Sequence, residues 1–278
     1  LSEAVLVPTV RAAAAGGHGL ITDALVWRAS PDHVSNLGYT TGDVERINRE
    51  AVARVDEAVS AAAVDTPLIF AGEVGPRGDG YALAPGEEPG ASSAREYHMR
   101  QIVALAGTDI ALLSALTMTN AEEAIGIVQA AAEVGIPTIV SPTVETDGRL
   151  PSGMSLAEFV ARVDGGTHGY PLFYMVNCAH PTHLSPALAA AVDRGESWLA
   201  RFRGFRANAS SKSHEELDNS TELDRGSPGD LAEQVAAMRA AYGLTVVGGC
   251  CGTDVEHIER IAEAVAATTS PADTFDPS

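Results

Sequence analysis

The 278-residue sequence is poor in cysteine, lysine and aromatic residues, with 3 Cys, 2 Trp and 5% aromatics overall. Lysine occurs once, at Lys212, so a Schiff-base mechanism has a single candidate. Three cysteines is an odd number, and Cys250 and Cys251 are adjacent. Both features argue against a disulfide framework and favour a reducing, cytoplasmic setting. No run of about 18 apolar residues occurs, so no membrane span is expected. No basic segment followed by an apolar stretch marks a signal peptide. Basic residues are also scarce, 18 against 37 acidic, for a formal charge of −19. Phosphate contacts need Lys/Arg clusters, and the sequence shows none, which excludes nucleic acid and anionic membranes as partners.

What is present is an alternation of β-rich and helical patterns. Apolar, β-rich runs lie at Gly19–Val26, Pro67–Val74, Asp109–Met118, Pro137–Thr143, Pro171–Cys178, Gly204–Asn208 and Leu244–Gly249. Ala-rich amphipathic stretches separate them: Asp43–Ala63, Ala94–Ala106, Ala121–Val134, Ser155–Val163, Pro186–Val192, Asp230–Tyr242 and Asp254–Ala267. Candidate helix N-caps are Thr41, Ser92 or Ser93, Asn120 and Ser155. The pattern predicts an α/β fold with a parallel sheet. A helix over Leu1–Ala15 precedes the first run. Eight strands would close a (β/α)8 TIM barrel. Seven are visible, so the expectation is such a barrel with its first strand missing from the sequence, which opens on Leu1 and not Met. An open doubly wound sheet is the alternative. The barrel is preferred because the unusual polar motifs all fall at strand C-terminal ends, which in a barrel surround one mouth. Residues 1–278 are expected to form one domain, with long mouth loops at Gly75–Ala91 and Ala209–Ser227 and a frayed tail from Thr268 to Ser278.

The cysteines carry the sharpest chemical signal. Cys178 closes one strand in Asn177-Cys178-Ala179-His180-Pro181, and Cys250 and Cys251 close the last in Gly248-Gly249-Cys250-Cys251-Gly252-Thr253. Three thiolates converging from two strand ends would make a soft metal site with one open tetrahedral position. By spacing alone, buried inert cysteines are the more common reading, and a vicinal disulfide a minor one.

These two cysteine motifs resemble the zinc signature of the homocysteine S-methyltransferase family, and the resemblance runs from about Gly19 to Ala266. It implies a (β/α)8 barrel in which Cys178, Cys250 and Cys251 hold Zn2+. It further implies methyl transfer from a small sulfonium or ammonium donor to a metal-held thiol. Such donors include S-methylmethionine, S-adenosylmethionine and a betaine. The implied acceptor is homocysteine and the product methionine. The partners implied are thus small molecules, and a homo-oligomer stays open.

Other mouth residues are candidate substrate contacts. Glu73, with Asp79, lies in the Glu73–Tyr81 turn, where either carboxylate can meet an ammonium or a cationic donor. Glu145 follows the strand ending at Thr143, and Asp147 suits the turn with Gly148. Asp23, Thr117, Asn177 and Asn208 complete the set, with Arg206, Lys212 and His214 as donors for a carboxylate. Trp27 and Tyr81 can offer ring faces to a methylated cation. Each has an ordinary alternative in packing, capping or solvated charge. His180 and His183 lie close to Cys178 and suit a supporting role better than ligation.

Two departures from the family stand out. Its members place a glutamate for the homocysteine amino group at the end of strand four. Here that segment reads Ser114-Ala115-Leu116-Thr117-Met118-Thr119-Asn120, without a carboxylate. The family's opening Asp-Gly-Gly strand is also not seen, and Asp23 is at best a partial substitute. These departures keep a second function in play, a degenerate barrel with structural zinc that binds a thiol or a partner chain. A zinc hydrolase or lyase with Glu145 as base is disfavoured, because three thiolates make zinc a poor Lewis acid.

Overall fold

The computed structural model describes residues 5–83 and 89–268. The start of the expected first helix (1–4), part of the Gly75–Ala91 loop (84–88) and the tail from 269 lie outside the described residues. All seven expected strands form: β1 Leu20–Ala24, β2 Leu68–Val74, β3 Leu112–Met118, β4 Thr138–Pro142, β5 Phe173–Ala179, β6 Phe202–Ala207 and β7 Val246–Gly249. They pair in sequence order and in parallel, as one seven-stranded sheet.

The helices that return the chain between strands are α3 Asp43–Ala62, α4 Ala91–Ala106, α5 Ala121–Glu133, α6 Leu156–Thr167, α7 Pro181–Asp193 and α9 Pro228–Tyr242. Helices α1 Val7–Ala15 and α10 Val255–Ala266 flank the sheet at its two ends and pack on each other. Two short helices, α2 Pro31–Asn36 and α8 His214–Asp218, lie in strand-to-helix loops, and a 3-10 turn spans Ser197–Arg201. The last three were not expected, because one or two turns carry too little amphipathic periodicity to register.

One face of the sheet packs on the helices through Leu113, Ala115, Val140, Tyr174, Val176 and Phe205. The other face gathers Ile21, Ala71, Leu112, Leu116, Ile139 and Met175, from β1 through β5, into a single inner cluster. The sheet curls around this cluster, since Arg206 on β6 reaches Asp23 on β1 at 2.9 Å although four strands lie between them. The expected eight-stranded closure is not seen among the described residues. The sheet is a curled half-barrel whose edges are β1 and β7. A cavity of about 560 Å³ opens between those edges, beneath α1 and α10.

Asn120 and Ser155 cap α5 and α6 as expected, Ser155 in a capping box with Glu158. Thr41 and Ser92 or Ser93 do not cap. Helix α3 starts after Gly42, with the Asp43 carboxylate accepting from Thr40. Helix α4 starts after Gly90, so the Ser93 hydroxyl already sits inside it and donates to the Gly90 carbonyl. Helix α7 begins five residues earlier than expected, with His180 as cap and Pro181 at its first position, where no N–H is needed.

Candidate functional site

Cys178 should face the helices, since Met175 and Asn177 alternate inward along β5. A register shift between Asn177 and Ala179 breaks that alternation. Cys178 takes φ +54° inside it, and such a bulge re-aims a side chain. The matching shift in β3, between Leu116 and Met118, holds Thr117 at φ +59°. A β-branched residue in the left-handed region is strained unless its surroundings impose it. Asn177 does so. Its Oδ1 accepts from Thr117 N at 2.8 Å and Ser141 Oγ at 2.7 Å. Its Nδ2 donates to Thr117 Oγ1 at 2.8 Å and lies 3.9 Å from Cys250 Sγ. An amide has two donors and two acceptor sites, and all four are used. Asn177 and Thr117, read from the sequence as substrate contacts, are thus engaged with each other.

Cys250 and Cys251 sit in the turn after β7. Cys250 N donates to Ala207 O, and the Cys251 carbonyl accepts from Ala209 N, so β6 fixes the turn. Gly252 takes φ +76°, and a Cβ there would meet Asp224 O at 2.8 Å. The three sulfurs converge within 4.8 Å of one another, and Cys251 Sγ lies 3.4 Å from Cys178 Sγ. Cys178 and Cys250 are joined as a disulfide, and Cys251 is free. The odd cysteine count argues against disulfides, and the structure corrects that reading with this one pair. The physical reason is the convergence itself, which brings sulfurs close enough to share an ion or to form a bond. The donor set fits zinc in its reduced form. A tetrahedral ion with Zn–S of about 2.3 Å separates its sulfurs by about 3.8 Å and leaves one position open.

Below the cysteines lies a buried charged layer. Arg206 on β6 donates to Asp23 on β1 at 2.9 Å and stands 3.6 Å from Glu73 on β2. Ser114 on β3 donates to the other oxygen of Asp23 at 2.9 Å. Glu73 is only 6% exposed. Burial, then repulsion from Asp23, push its carboxyl up to about 8 against the pull of Arg206. The seam cavity reaches this layer. Arg206, expected as a carboxylate donor, is thus engaged with two acids. Asn208 follows Arg206 by two residues and is 4% exposed, and its amide bonds no protein group among the described residues.

Glu145 does not stand alone at the mouth. Its Oε1 lies 2.8 Å from His214 Nδ1, and His214 Nε2 donates to the Cys178 carbonyl at 2.9 Å. Burial opposes charge on this imidazole, but the two acceptors outweigh it and raise its pKa. The Tyr81 ring lies over His214 with centroids 4.4 Å apart, and its hydroxyl is 3.6 Å from Cys251 Sγ. Trp27 is a buttress. Its indole N–H donates to Leu116 O, its ring closes on Gly75 and Gly80, and Arg28 covers it at 4.4 Å.

Asp79 and Asp147 make turns, accepting from the Tyr81 and Arg149 amides. Lys212 pairs with Asp224 at 3.2 Å. Neither nearby histidine joins the sulfur cluster. His180 accepts from Thr182 N, and burial followed by the His183 charge lowers it to about 4. His183 donates to Ser211 O. In the Ser114–Asn120 segment, which carries no carboxylate, Leu116 is buried in the inner cluster. Ser141 and the Asp23–Arg206–Glu73 coupling carried no signal in the sequence.

The family model for homocysteine S-methyltransferase matches residues 14–265, nearly the whole chain. The chain belongs to the homocysteine S-methyltransferase family. The fold agrees with that membership. The homocysteine methyltransferase MmuM from Escherichia coli superposes in its metallated form with a TM-score of 0.70. The two chains are 18% identical, over 92% of this chain and 83% of that one. The oxidized form of the same protein gives a TM-score of 0.69 at 18% identity, over 92% and 82%. Methionine synthase from Mycobacterium leprae (strain TN) is 54% identical over 39 residues, 14% of this chain. Its counterpart from Mycobacterium tuberculosis (strain ATCC 25618 / H37Rv) is 50% identical over 44 residues, 16% of this chain. The matched segments span 3% and 4% of those two relatives. In this member of the homocysteine S-methyltransferase family, no described helix is long and apolar enough to cross a membrane.

Proposed function

We propose that this chain transfers a methyl group from a small sulfonium or ammonium donor to homocysteine, giving methionine, with Cys178, Cys250 and Cys251 holding Zn2+. The observation that carries this reading is the convergence of the three sulfurs within 4.8 Å at the ends of β5 and β7. Membership of the family supports the acceptor and reaction class. Held by these three cysteines, Zn2+ would keep the acceptor sulfur as a thiolate at neutral pH, where a free thiol with a pKa near 8.5 is mostly protonated. A carbon–sulfur bond to the acceptor forms as the methyl bond to the positive sulfur or nitrogen breaks, and the donor leaves neutral.

The chain's own residues bind and align. Asn177 imposes the left-handed turn that aims Cys178 at the other two sulfurs. Asp23 and Glu73 face one guanidinium, and Glu73, held mostly protonated at neutral pH, is a carboxyl that an arriving ammonium would ionise. They thereby offer, from β1 and β2, carboxyl groups that the Ser114–Asn120 segment lacks. Asn208 brings an unengaged amide for a polar acceptor group. The chain's charge of −19 favours the approach of a cationic donor.

The test compares reduced wild type with Cys251→Ser for zinc content and homocysteine methylation. About one zinc per chain, lost together with activity in the variant, supports the reading. A reduced wild type without zinc overturns it.

A further inference from the structure

Tyr81 lies in the loop after β2, where the Asp79 carboxylate accepts from the Tyr81 and Ala82 amides at 2.8 and 3.1 Å. That turn fixes the backbone. The ring is fixed by its contact with His214, which is itself held between Glu145 at 2.8 Å and the Cys178 carbonyl at 2.9 Å. The free end of the ring, the hydroxyl, stands 3.6 Å from Cys251 Sγ, within hydrogen-bond reach for sulfur. Cys251 is the exposed member of the cluster, whereas Cys178 is buried and Cys250 half-buried. The cover over the sulfurs is thus tied down at both ends, by β2's loop and by the pair that also bonds the Cys178 backbone.

We propose that Tyr81 is a positioning residue for the sulfur cluster: its hydroxyl donates a hydrogen bond to the Cys251 sulfur, and the Glu145–His214 pair fixes the ring that carries it. The proposal goes beyond the proposed function while resting on its reading of the cysteines as a metal set. A thiolate has no proton to give, so the hydroxyl is the donor in the reduced site. Three protein thiolates and a substrate thiolate around a divalent ion leave an excess of negative charge. A neutral O–H donor draws density from Cys251 without replacing it as a ligand. The protein sulfur is then a poorer nucleophile than the acceptor sulfur. This explains how an enzyme built on exposed thiolate can favour methylating its substrate over its own Cys251.

Co2+ serves as the probe, because its thiolate charge-transfer absorption reads electron density on sulfur. In reduced protein, Tyr81→Phe keeps the ring and removes the donor. The expected result is a shift of the charge-transfer band to lower energy, because the Cys251 thiolate becomes a stronger donor. Thermal unfolding of the metal-free protein stays unchanged. Glu145→Gln shifts the band in the same direction by less, and adds nothing in the Tyr81→Phe background. Charge-transfer bands in wild type that Tyr81→Phe leaves unmoved overturn the role of Tyr81 and leave the metal site standing. A wild type without such bands overturns both.

Discussion

Asn177 and Thr117 hold each other by two hydrogen bonds of 2.8 Å each, backbone N–H to amide oxygen one way and amide N–H to hydroxyl the other. They lie on strands β5 and β3, which are not neighbours in the sheet. The clasp therefore spans β4, whose Ser141 joins it at 2.7 Å. It ties the two left-handed residues, Thr117 and Cys178, into one unit. Asn177→Ala leaves buried donors and acceptors on both strands without partners. The expected loss is about 2–4 kcal/mol of stability. Zinc retention should fall as well, although all three cysteines remain. A urea midpoint and metal content equal to wild type would show that the backbone bulges hold themselves.

Glu73 should make stability depend on pH. Its carboxyl is raised from 4.5 to about 8, by burial first and then by Asp23. The folded state therefore favours its protonated form more than the unfolded state does. That contribution is fully present below the unfolded value of 4.5 and is lost as pH rises through about 8. Glu73→Gln keeps the neutral shape and removes the titration. Between pH 5 and pH 8.5, wild type should lose about 2–4 kcal/mol relative to the variant, since a tenfold change in proton affinity is worth about 1.4 kcal/mol. Parallel urea midpoints across that range would contradict the burial argument.

The closest approach of α4 and α5 is made at Gly126. A Cβ built there would stand 2.6 Å from Ala91 O and 2.7 Å from Arg95 N, both backbone atoms of α4. Neither can rotate away, so Gly126→Ala must part the helices. Alanine's higher helix propensity returns about 1 kcal/mol, less than the strain of overpacking, which typically costs about 1–3 kcal/mol. The net expectation is a modest drop in the thermal midpoint with activity preserved, because α5 touches no sulfur. A higher midpoint would mean the helices separate freely.

Most of the fold was legible because its strands are buried on both faces. Runs such as Leu112–Met118 and Phe173–Ala179 read as continuous apolar segments bounded by turns. The short helices α2 and α8 were not legible, since six and five residues hold less than two turns of pattern. The cysteines stood out because thiols at two strand ends are rare outside metal sites. Their partners were hidden by distance along the chain. Arg206 and Asp23 are separated by 183 residues, and neither sits in a motif. Nor does spacing reveal that Asn177 spends its whole amide on Thr117, Ser141 and Cys250, because only the bulges make those groups meet.

Asn208 offers the plainest separation of binding from chemistry. Its residue is 4% exposed, and its amide bonds no protein group among the described residues. Its amide oxygen and nitrogen still touch solvent, so a ligand able to bond them replaces water and adds one hydrogen bond. The same bond exists in the ground state and the transition state if it holds a group remote from the reacting sulfur. Its loss should then raise KM and leave kcat alone. Asn208→Leu, which keeps the branched shape and discards the polar atoms, is expected to raise the KM for homocysteine by roughly 5- to 50-fold, the equivalent of one such bond. Because no internal bond is lost, the unliganded variant should be at least as stable as wild type. A variant with lower stability and unchanged KM would identify Asn208 as a packing residue, and the acceptor's polar contacts would then have to come from the Asp23–Glu73 layer.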